Sequence, residues 1–328
     1  MKSARFGEYR SVHYKIISLV GVLVAVAWMA LANTSCSLKG IDTEHYYLCV
    51  GICEYESNDI ADLTYPDLDA AGLGHVLSKR GWQAAPFPNT LSVEHDGLLL
   101  DSEATKDNIE TAIKDAFANV PPDATILVYF SGHGTLNKSA DTCYLLPYDY
   151  STSMGFSKAI SPAELNSWFS SLPTKNIIFI SDSCYSGGFV STQDSEDTMP
   201  ATYQDGADTS LAALSYSLTS FGSLLVKNAQ ATGAPAPVAI SAAGAKESSY
   251  DGGPDKAHGV FTYYLLQAAE MGDSNHDGSV TCTEAYSYAA QCIKEYWNDR
   301  YGKTSAFYPH LSGGARDLVL YCKSQDGG

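Results

Sequence analysis

Apolar residues along this chain form two kinds of run, and each kind predicts a different secondary structure. Residues 126–130 and 177–180 are continuously apolar, as expected for strands of a parallel sheet that is covered on both faces. Shorter apolar runs predict further strands at 46–52, 98–100 and 238–240. Apolar residues at helical spacing predict helices at 67–81, 105–118, 162–172 and 260–271. This alternation indicates an α/β fold with a mostly parallel β-sheet flanked by helices on both faces.

Residues 191–236 depart from this alternation. They are rich in Ser, Thr, Asp, Ala and Gly, and their apolar positions are diluted. A segment of this length without a clear period is usually a functional or disordered loop. We therefore expect a long, mobile insertion between two core strands, within a domain that spans residues 36–328.

The N-terminus has the order of a secretory signal. Basic residues come first, an apolar run follows from Ile16 to Ala32, and small polar residues lead to Cys36. The basic residues are Lys2, Arg5, Arg10 and Lys15. This order predicts a signal sequence over residues 1–35. Three outcomes stay open: lipidation of Cys36 after cleavage, plain cleavage, and a retained membrane anchor. The protein is expected to be exported, to the periplasm or cell surface when attached through Cys36 and otherwise as a secreted protein.

The charge of the chain argues against a nucleic-acid partner, and the spacing of two cysteines argues against a disulfide between them. The formal net charge is −17 and no cluster of Lys and Arg interrupts it, so we expect no nucleic-acid partner. Cys49 and Cys53 stand four residues apart on a predicted strand, at a separation of roughly 13 Å that is too long for a disulfide. Both are expected to be buried thiols.

Two motifs directly follow the two strongest strands. Residues 131–134 (Ser-Gly-His-Gly) come after the first strand, and a run that begins with residues 181–184 (Ser-Asp-Ser-Cys) comes after the second. The carboxyl ends of parallel strands open into one crevice, so His133 and Cys184 would face each other if these strands are neighbours. A thiolate nucleophile needs an imidazole that activates it and then protonates the leaving amine. The N–H groups of Gly134 and Cys184 would hold the developing oxyanion.

These residues resemble the catalytic motifs of a known family. His133-Gly134 and the run from Asp182 to Gly187 are similar to those of the caspase-like clan, and nearest to those of metacaspases and bacterial caspase-family proteins. Cys184 follows His133 by about 50 residues, as in caspases. The resemblance covers roughly residues 45–270. It implies a caspase-like fold and a cysteine endopeptidase whose chemistry requires no cofactor.

The resemblance also implies which bonds are cleaved. Asp182 stands two residues before the nucleophile, where metacaspases carry an acid that lines the primary specificity pocket, and Asp69 resembles a second pocket acid. A carboxylate there favours a charge-assisted contact with Arg or Lys. We therefore expect a protein or peptide substrate with a basic residue at the cleavage site. The alternatives are that Asp182 only caps a turn and that Asp69 is an ordinary acid at a helix N-terminus.

A further motif spans residues 273–284 and satisfies the loop pattern of an EF-hand. Its candidate ligands are Asp273, Asn275, Asp277, Ser279, Thr281 and Glu284. Apolar segments with helical spacing flank this loop on both sides. The pattern predicts a Ca²⁺ site with a structural or activating role, and a metal-free helix connector is the alternative.

Taken together, the sequence predicts an exported cysteine endopeptidase that uses a Cys/His dyad and cleaves after Arg or Lys. Two alternatives are a transpeptidase that uses the same dyad for acyl transfer, and a catalytically silent Ca²⁺-binding interaction protein on a caspase-like fold. A silent protein would be marked by loss of His133 or Cys184, and both residues are present.

Overall fold

The two continuous apolar runs form neighbouring strands at the centre of one sheet. The computed structural model describes residues 44–137, 142–183, 221–243, 249–250, 252–300, 306–313 and 317–322. The strands are β1 (His45–Gly51), β2 (Gln83–Ala84), β3 (Leu98–Leu100), β4 (Thr125–Ser131), β5 (Gly134–Asn137), β6 (Thr142–Leu145), β7 (Asn176–Asp182), β8 (Val238–Ser241), β9 (Ser279–Thr281), β10 (His310–Ser312) and β11 (Val319–Cys322). The α-helices are α1 (Pro66–Lys79), α2 (Lys106–Ala116), α3 (Pro162–Ser170), α4 (Phe221–Thr232), α5 (Val260–Met271) and α6 (Cys282–Ile293).

Parallel pairing builds most of the main sheet. The strand order is β10-β8-β7-β4-β1-β2, and β3 also pairs with β1. All of these pairs are parallel except that of β10 with β8. β4 pairs in register with both neighbours, so Gly51, Ser131 and Asp182 end their strands side by side. The residues that follow these strands therefore begin at one edge of the sheet.

Helices cover both faces of this sheet, as the sequence predicts. On one face α2, α3 and α4 bury side chains such as Ile109 and Leu225. On the other face α1, α5 and α6 bury side chains such as Leu73 and Leu265. Successive side chains of a strand point to opposite faces. This explains why the central strands are apolar at every core position, since each large side chain buried there contributes about 1.5–3 kcal/mol.

Helix α1 lies very close to β1 at Gly51. A Cβ at this position would be 2.3 Å from the carbonyl oxygen of Pro66 and 2.8 Å from the Ala70 side chain. Any larger residue would push α1 away from the sheet. The glycine therefore sets the position of Asp69, which lies in the first turn of α1.

The end of the expected insertion belongs to the folded domain. Residues 221–232 form α4, and its buried side chains include Phe221, Leu225 and Ala229. Their spacing of four residues places them on one helix face. A Cβ at Gly222 would lie 2.9 Å from the Ala239 side chain, so α4 packs directly on β8. The part of the segment at 191–220 lies outside the described residues.

The expected signal sequence at 1–35 and Cys36 also lie outside the described residues. Within the part of the chain that the structure describes, no helix combines the length and apolar character needed to cross a membrane. Export and membrane attachment therefore stay predictions from the sequence.

Candidate active site

The in-register pairing of β4 with β7 brings the two sequence motifs to neighbouring strand ends. Ser131 at the end of β4 lies opposite Asp182 at the end of β7. The Gly132 N–H donates to the Asp182 carbonyl at 3.2 Å, which continues the contact one residue further. His133 and Cys184 each come two residues after a paired position. Cys184 itself lies outside the described residues.

The half-buried His133 ring has a defined tautomer when it is neutral. Its Nε2 lies 2.8 Å from the carbonyl oxygen of Ala61. A carbonyl only accepts hydrogen bonds, so Nε2 carries the proton and Nδ1 is the basic nitrogen. Burial lowers the pKa of His133 below its usual value, and the Ala61 carbonyl and the Asp62 charge oppose this only in part. The ring is therefore neutral at neutral pH and accepts a proton through Nδ1.

Tyr55 holds the main chain of the His133 turn. The His133 N–H donates to the Tyr55 hydroxyl at 2.8 Å, and the two ring centroids are 5.2 Å apart. A Cβ at Gly132 would lie 3.0 Å from the same hydroxyl, so glycine allows the turn to pass this close. Sequence reasoning did not find Tyr55, because its partner is a main-chain group far along the chain that no residue pattern marks.

Gly134 follows His133 directly and begins a hairpin of β5 and β6. It is buried and lies opposite Leu145. The Leu146 N–H donates to the His133 carbonyl at 2.9 Å, so the hairpin fixes the turn from its far side. Gly134 therefore lies at the same edge as His133, and its role as an oxyanion donor stays a prediction.

Two buried carboxylates, those of Asp69 and Asp182, lie next to this turn. Their residues are 1 % and 7 % exposed. Asp69 Oδ1 accepts the Gly259 N–H at 3.0 Å, and its Oδ2 accepts the Ser131 hydroxyl at 3.1 Å. The point that a Cβ on Gly259 would occupy is 3.1 Å from Oδ2 of each aspartate. The fold thus brings together two acids that are far apart in the sequence.

Hydroxyl groups surround Asp182. Its Oδ2 accepts the Thr262 hydroxyl at 2.7 Å, and its Oδ1 accepts the Ser249 hydroxyl. The Tyr129 hydroxyl lies 2.6 Å from Thr262 Oγ1, and it must be the donor there because Thr262 gives its only hydroxyl proton to Asp182. Burial raises the pKa of Asp182 above its ordinary value, while the hydroxyl donors lower it. A cation that came next to Asp182 would favour the ionised form of its carboxylate.

The supporting residues of the carboxylate pair were only partly visible in the sequence. Gly259 and Thr262 belong to a run that resembles a late helix of the caspase-like family, but nothing in that run signals contact with Asp69 or Asp182. Ser249 lies outside this run. A helix N-terminus that points at two acids is visible only after the chain has folded.

Four of the cysteines whose side chains the structure describes are poor nucleophiles. Cys49 and Cys53 are buried thiols, as the sequence predicts. Burial raises the thiol pKa of Cys49, Cys53, Cys282 and Cys292. These thiols stay protonated at neutral pH, and a protonated thiol reacts slowly.

The EF-hand-like loop joins α5 to α6, so the expected flanking helices are present. Its oxygens accept hydrogen bonds from within the loop: Asp273 from the Asp277 N–H, and Glu284 from the N–H and hydroxyl of Thr281. Across the described ranges, no group of three or more His, Cys, Asp or Glu side chains is placed to hold a metal ion. Ca²⁺ binding by this loop therefore stays a prediction.

The same loop is held both by its own side chains and by the C-terminal part of the chain. Asn275 Oδ1 accepts the Asp277 N–H at 2.8 Å, and the Ser279 hydroxyl donates to Asp277 Oδ1 at 2.7 Å. Strand β9, which includes Ser279, pairs with β11, and the Cys282 N–H donates to the Leu318 carbonyl at 2.8 Å. Sequence reasoning did not foresee this strand pairing.

Comparison with known proteins agrees with this architecture. Residues 45–295 match the family model of the caspase domain. A structure from Geobacter sulfurreducens is similar with a TM-score of 0.52 and 15 % identity, over 85 % of this chain and 97 % of the other. Caspase-1 from Spodoptera frugiperda has a TM-score of 0.52 and 12 % identity, over 87 % of this chain and 92 % of the other. No curated protein matches the sequence. At these identities, the likeness to the two structures shows the fold alone.

Proposed function

This chain belongs to the caspase family, and from that premise we propose that it is a cysteine endopeptidase that cleaves peptide bonds after Arg or Lys. The observation that carries the proposal is the in-register pairing of β4 with β7. It puts His133 and the strand that leads into Cys184 at the same edge of the sheet. A Cys/His dyad needs its two residues within hydrogen-bond reach of each other, and the adjacency of these two strands supports the proposal.

In the proposed mechanism, Cys184 is the nucleophile and His133 is the general base. His133 Nδ1 takes the thiol proton, and the thiolate attacks the carbonyl carbon of the substrate. The imidazolium keeps its Nε2–H bond to Ala61 and passes the Nδ1 proton to the leaving amine as the thioester forms. Water then hydrolyses the thioester and the thiol is restored. The N–H groups of Gly134 and Cys184 stabilise the oxyanion.

Asp69 and Asp182 support specificity for basic residues. Both carboxylates are buried and lie against Gly259, and like charges placed close together disfavour each other. An Arg or Lys side chain would bring a cation to both acids and form charge-assisted hydrogen bonds with them. An Asp side chain of the substrate would bring a third carboxylate next to these two buried acids, and they would repel it.

A panel of fluorogenic peptides with Arg, Lys, Asp or Asn at the cleavage position tests the proposal. We expect turnover of the Arg and Lys peptides, with hydrolysed ends identified by mass spectrometry. Cys184→Ala should abolish turnover, whereas Cys292→Ala, a change at a partly exposed cysteine of α6, should retain it. Preference for the Asp peptide, or wild-type turnover by Cys184→Ala, would overturn the proposal. Transfer of the acyl group to an added peptide amine would favour the transpeptidase instead.

We also propose that the peptidase acts outside the cytoplasm. The support is the order of the first 36 residues, in which basic, apolar and small residues lead to Cys36. Expression of the full chain followed by cell fractionation and N-terminal mass analysis tests this. Lipidation predicts a membrane-bound form that Cys36→Ser converts into a soluble one. A cytoplasmic protein that retains residues 1–35 would refute export.

A further inference from the structure

Gly259 lies between the two carboxylates of the proposed specificity pocket. A Cβ at this position would have three oxygen atoms as its nearest neighbours: Asp69 Oδ2 and Asp182 Oδ2, each at 3.1 Å, and the Tyr250 carbonyl at 3.7 Å. These oxygens come from three separate segments of the chain. Gly259 therefore lies directly against two carboxylates and a main-chain carbonyl, with little room for a side chain of its own.

The main chain does not require glycine here. Gly259 has φ −57° and ψ 151°, a conformation that L-residues adopt freely. It is the N-cap residue of α5, a position where Ser, Thr, Asp and Asn stabilise a helix more than glycine does. No side-chain cap is present at this helix end. Glycine at 259 is therefore explained by what a side chain would contact, and not by backbone geometry.

A side chain at 259 would contact the groups that hold the substrate. A methyl carbon 3.1 Å from a carboxylate oxygen is closer than ordinary packing allows. The two carboxylates would have to move apart to admit it. A substrate cation that lost contact with one of these acids would stay desolvated without that partner, which costs far more than a lost surface contact.

We infer that Gly259 is a specificity-determining residue of this enzyme, because its missing side chain lets Asp69 and Asp182 lie close enough together to contact one Arg or Lys side chain of the substrate. The inference rests on the proposed function. Each carboxylate oxygen accepts more than one hydrogen bond, so Asp182 Oδ2 can accept from the substrate while it keeps the Thr262 hydroxyl. Guanidinium and ammonium groups both carry enough N–H donors to reach two acids at once.

The test is the Gly259→Ala variant with Arg, Lys and Ala peptides as substrates. We expect kcat/KM for the Arg and Lys peptides to fall on the order of 100-fold, and that for the Ala peptide to be unchanged. The rate at which iodoacetamide alkylates Cys184 should stay at the wild-type value, since this small reagent does not use the pocket. Should the alanine variant fail to fold, Gly259→Ser replaces it with the same expected result, because serine carries the same Cβ and also stabilises the helix as an N-cap residue.

Gly253→Ala is the matched control. Its Cβ would meet the His258 carbonyl and the Tyr263 side chain at 3.0 Å, and neither carboxylate is among its nearest neighbours. We expect it to cleave Arg peptides as the wild type does. Wild-type cleavage of Arg peptides by Gly259→Ala, or an equal loss in Gly253→Ala, would overturn the inference alone. Failure of the unmodified enzyme to cleave any basic peptide would overturn the proposed function and the inference together.

Discussion

Replacing Tyr55 by phenylalanine removes one hydroxyl from beneath the His133 turn and leaves the ring in place. The hydroxyl accepts the His133 N–H at 2.8 Å in a residue that is 8 % exposed. A buried N–H without an acceptor costs about 1–3 kcal/mol. The turn can avoid part of this cost only by moving, and His133 then leaves its bond with Ala61. We therefore expect a lower free energy of unfolding together with a fall in kcat of about tenfold, which corresponds to about 1.4 kcal/mol of barrier.

The assay separates a positioning role from a merely structural one. Urea unfolding gives the change in stability, and kcat and kcat/KM for an Arg peptide are measured across pH. Tyr321→Phe is the control, because this fully buried tyrosine donates to the Leu265 carbonyl at 3.2 Å on the face covered by α1, α5 and α6. It should lose stability but keep wild-type kinetics and pH profile. Wild-type kcat together with a wild-type pH profile in Tyr55→Phe would refute the reasoning.

Three further predictions concern charge, stability and metal. Asp182→Asn should lower kcat/KM for Arg peptides on the order of 100-fold. The same variant should be more stable than the wild type at neutral pH. Burial raises the Asp182 pKa, so ionisation of this carboxyl costs stability increasingly as pH rises from the unfolded pKa through the folded one. Melting curves should show the gain in stability at pH 7 and not at pH 3, and an equal gain at both would contradict this reasoning. Lys106→Met should reduce the free energy of unfolding in urea by about 1–3 kcal/mol, since the buried ammonium donates to Glu164 and to two main-chain carbonyls, while wild-type stability would show that these bonds contribute nothing. Millimolar Ca²⁺ added to chelator-treated protein should raise the melting temperature of the wild type and not of Asp273→Ala, and equal responses would identify the loop as a simple connector.

Strand identity was predictable because it depends on local apolar pattern. The runs at 126–130 and 177–180 lie within β4 and β7, and a short, continuously apolar run is typical of a strand that is buried on both faces. Helix α5 has the same bounds as the periodic segment from Val260 to Met271. Helix α4 was missed, because its buried face begins at Phe221 in a stretch whose overall composition resembles a loop. Packing against β8 stabilises that helix, and a local window contains no information about its partner.

The sequence by itself determined the fold class, the two motifs and their order, since each of these depends on neighbours within a few residues. It also determined the charge types that are available to a substrate pocket. Only the tertiary structure decided that β4 and β7 are adjacent and in register, that Ala61 assigns the proton of His133 to Nε2, and that Asp69 and Asp182 both lie against Gly259. The physical reason is that these contacts join main-chain atoms and small residues from distant segments. Such groups leave no pattern in the sequence, and their positions follow from how the helices pack on the sheet.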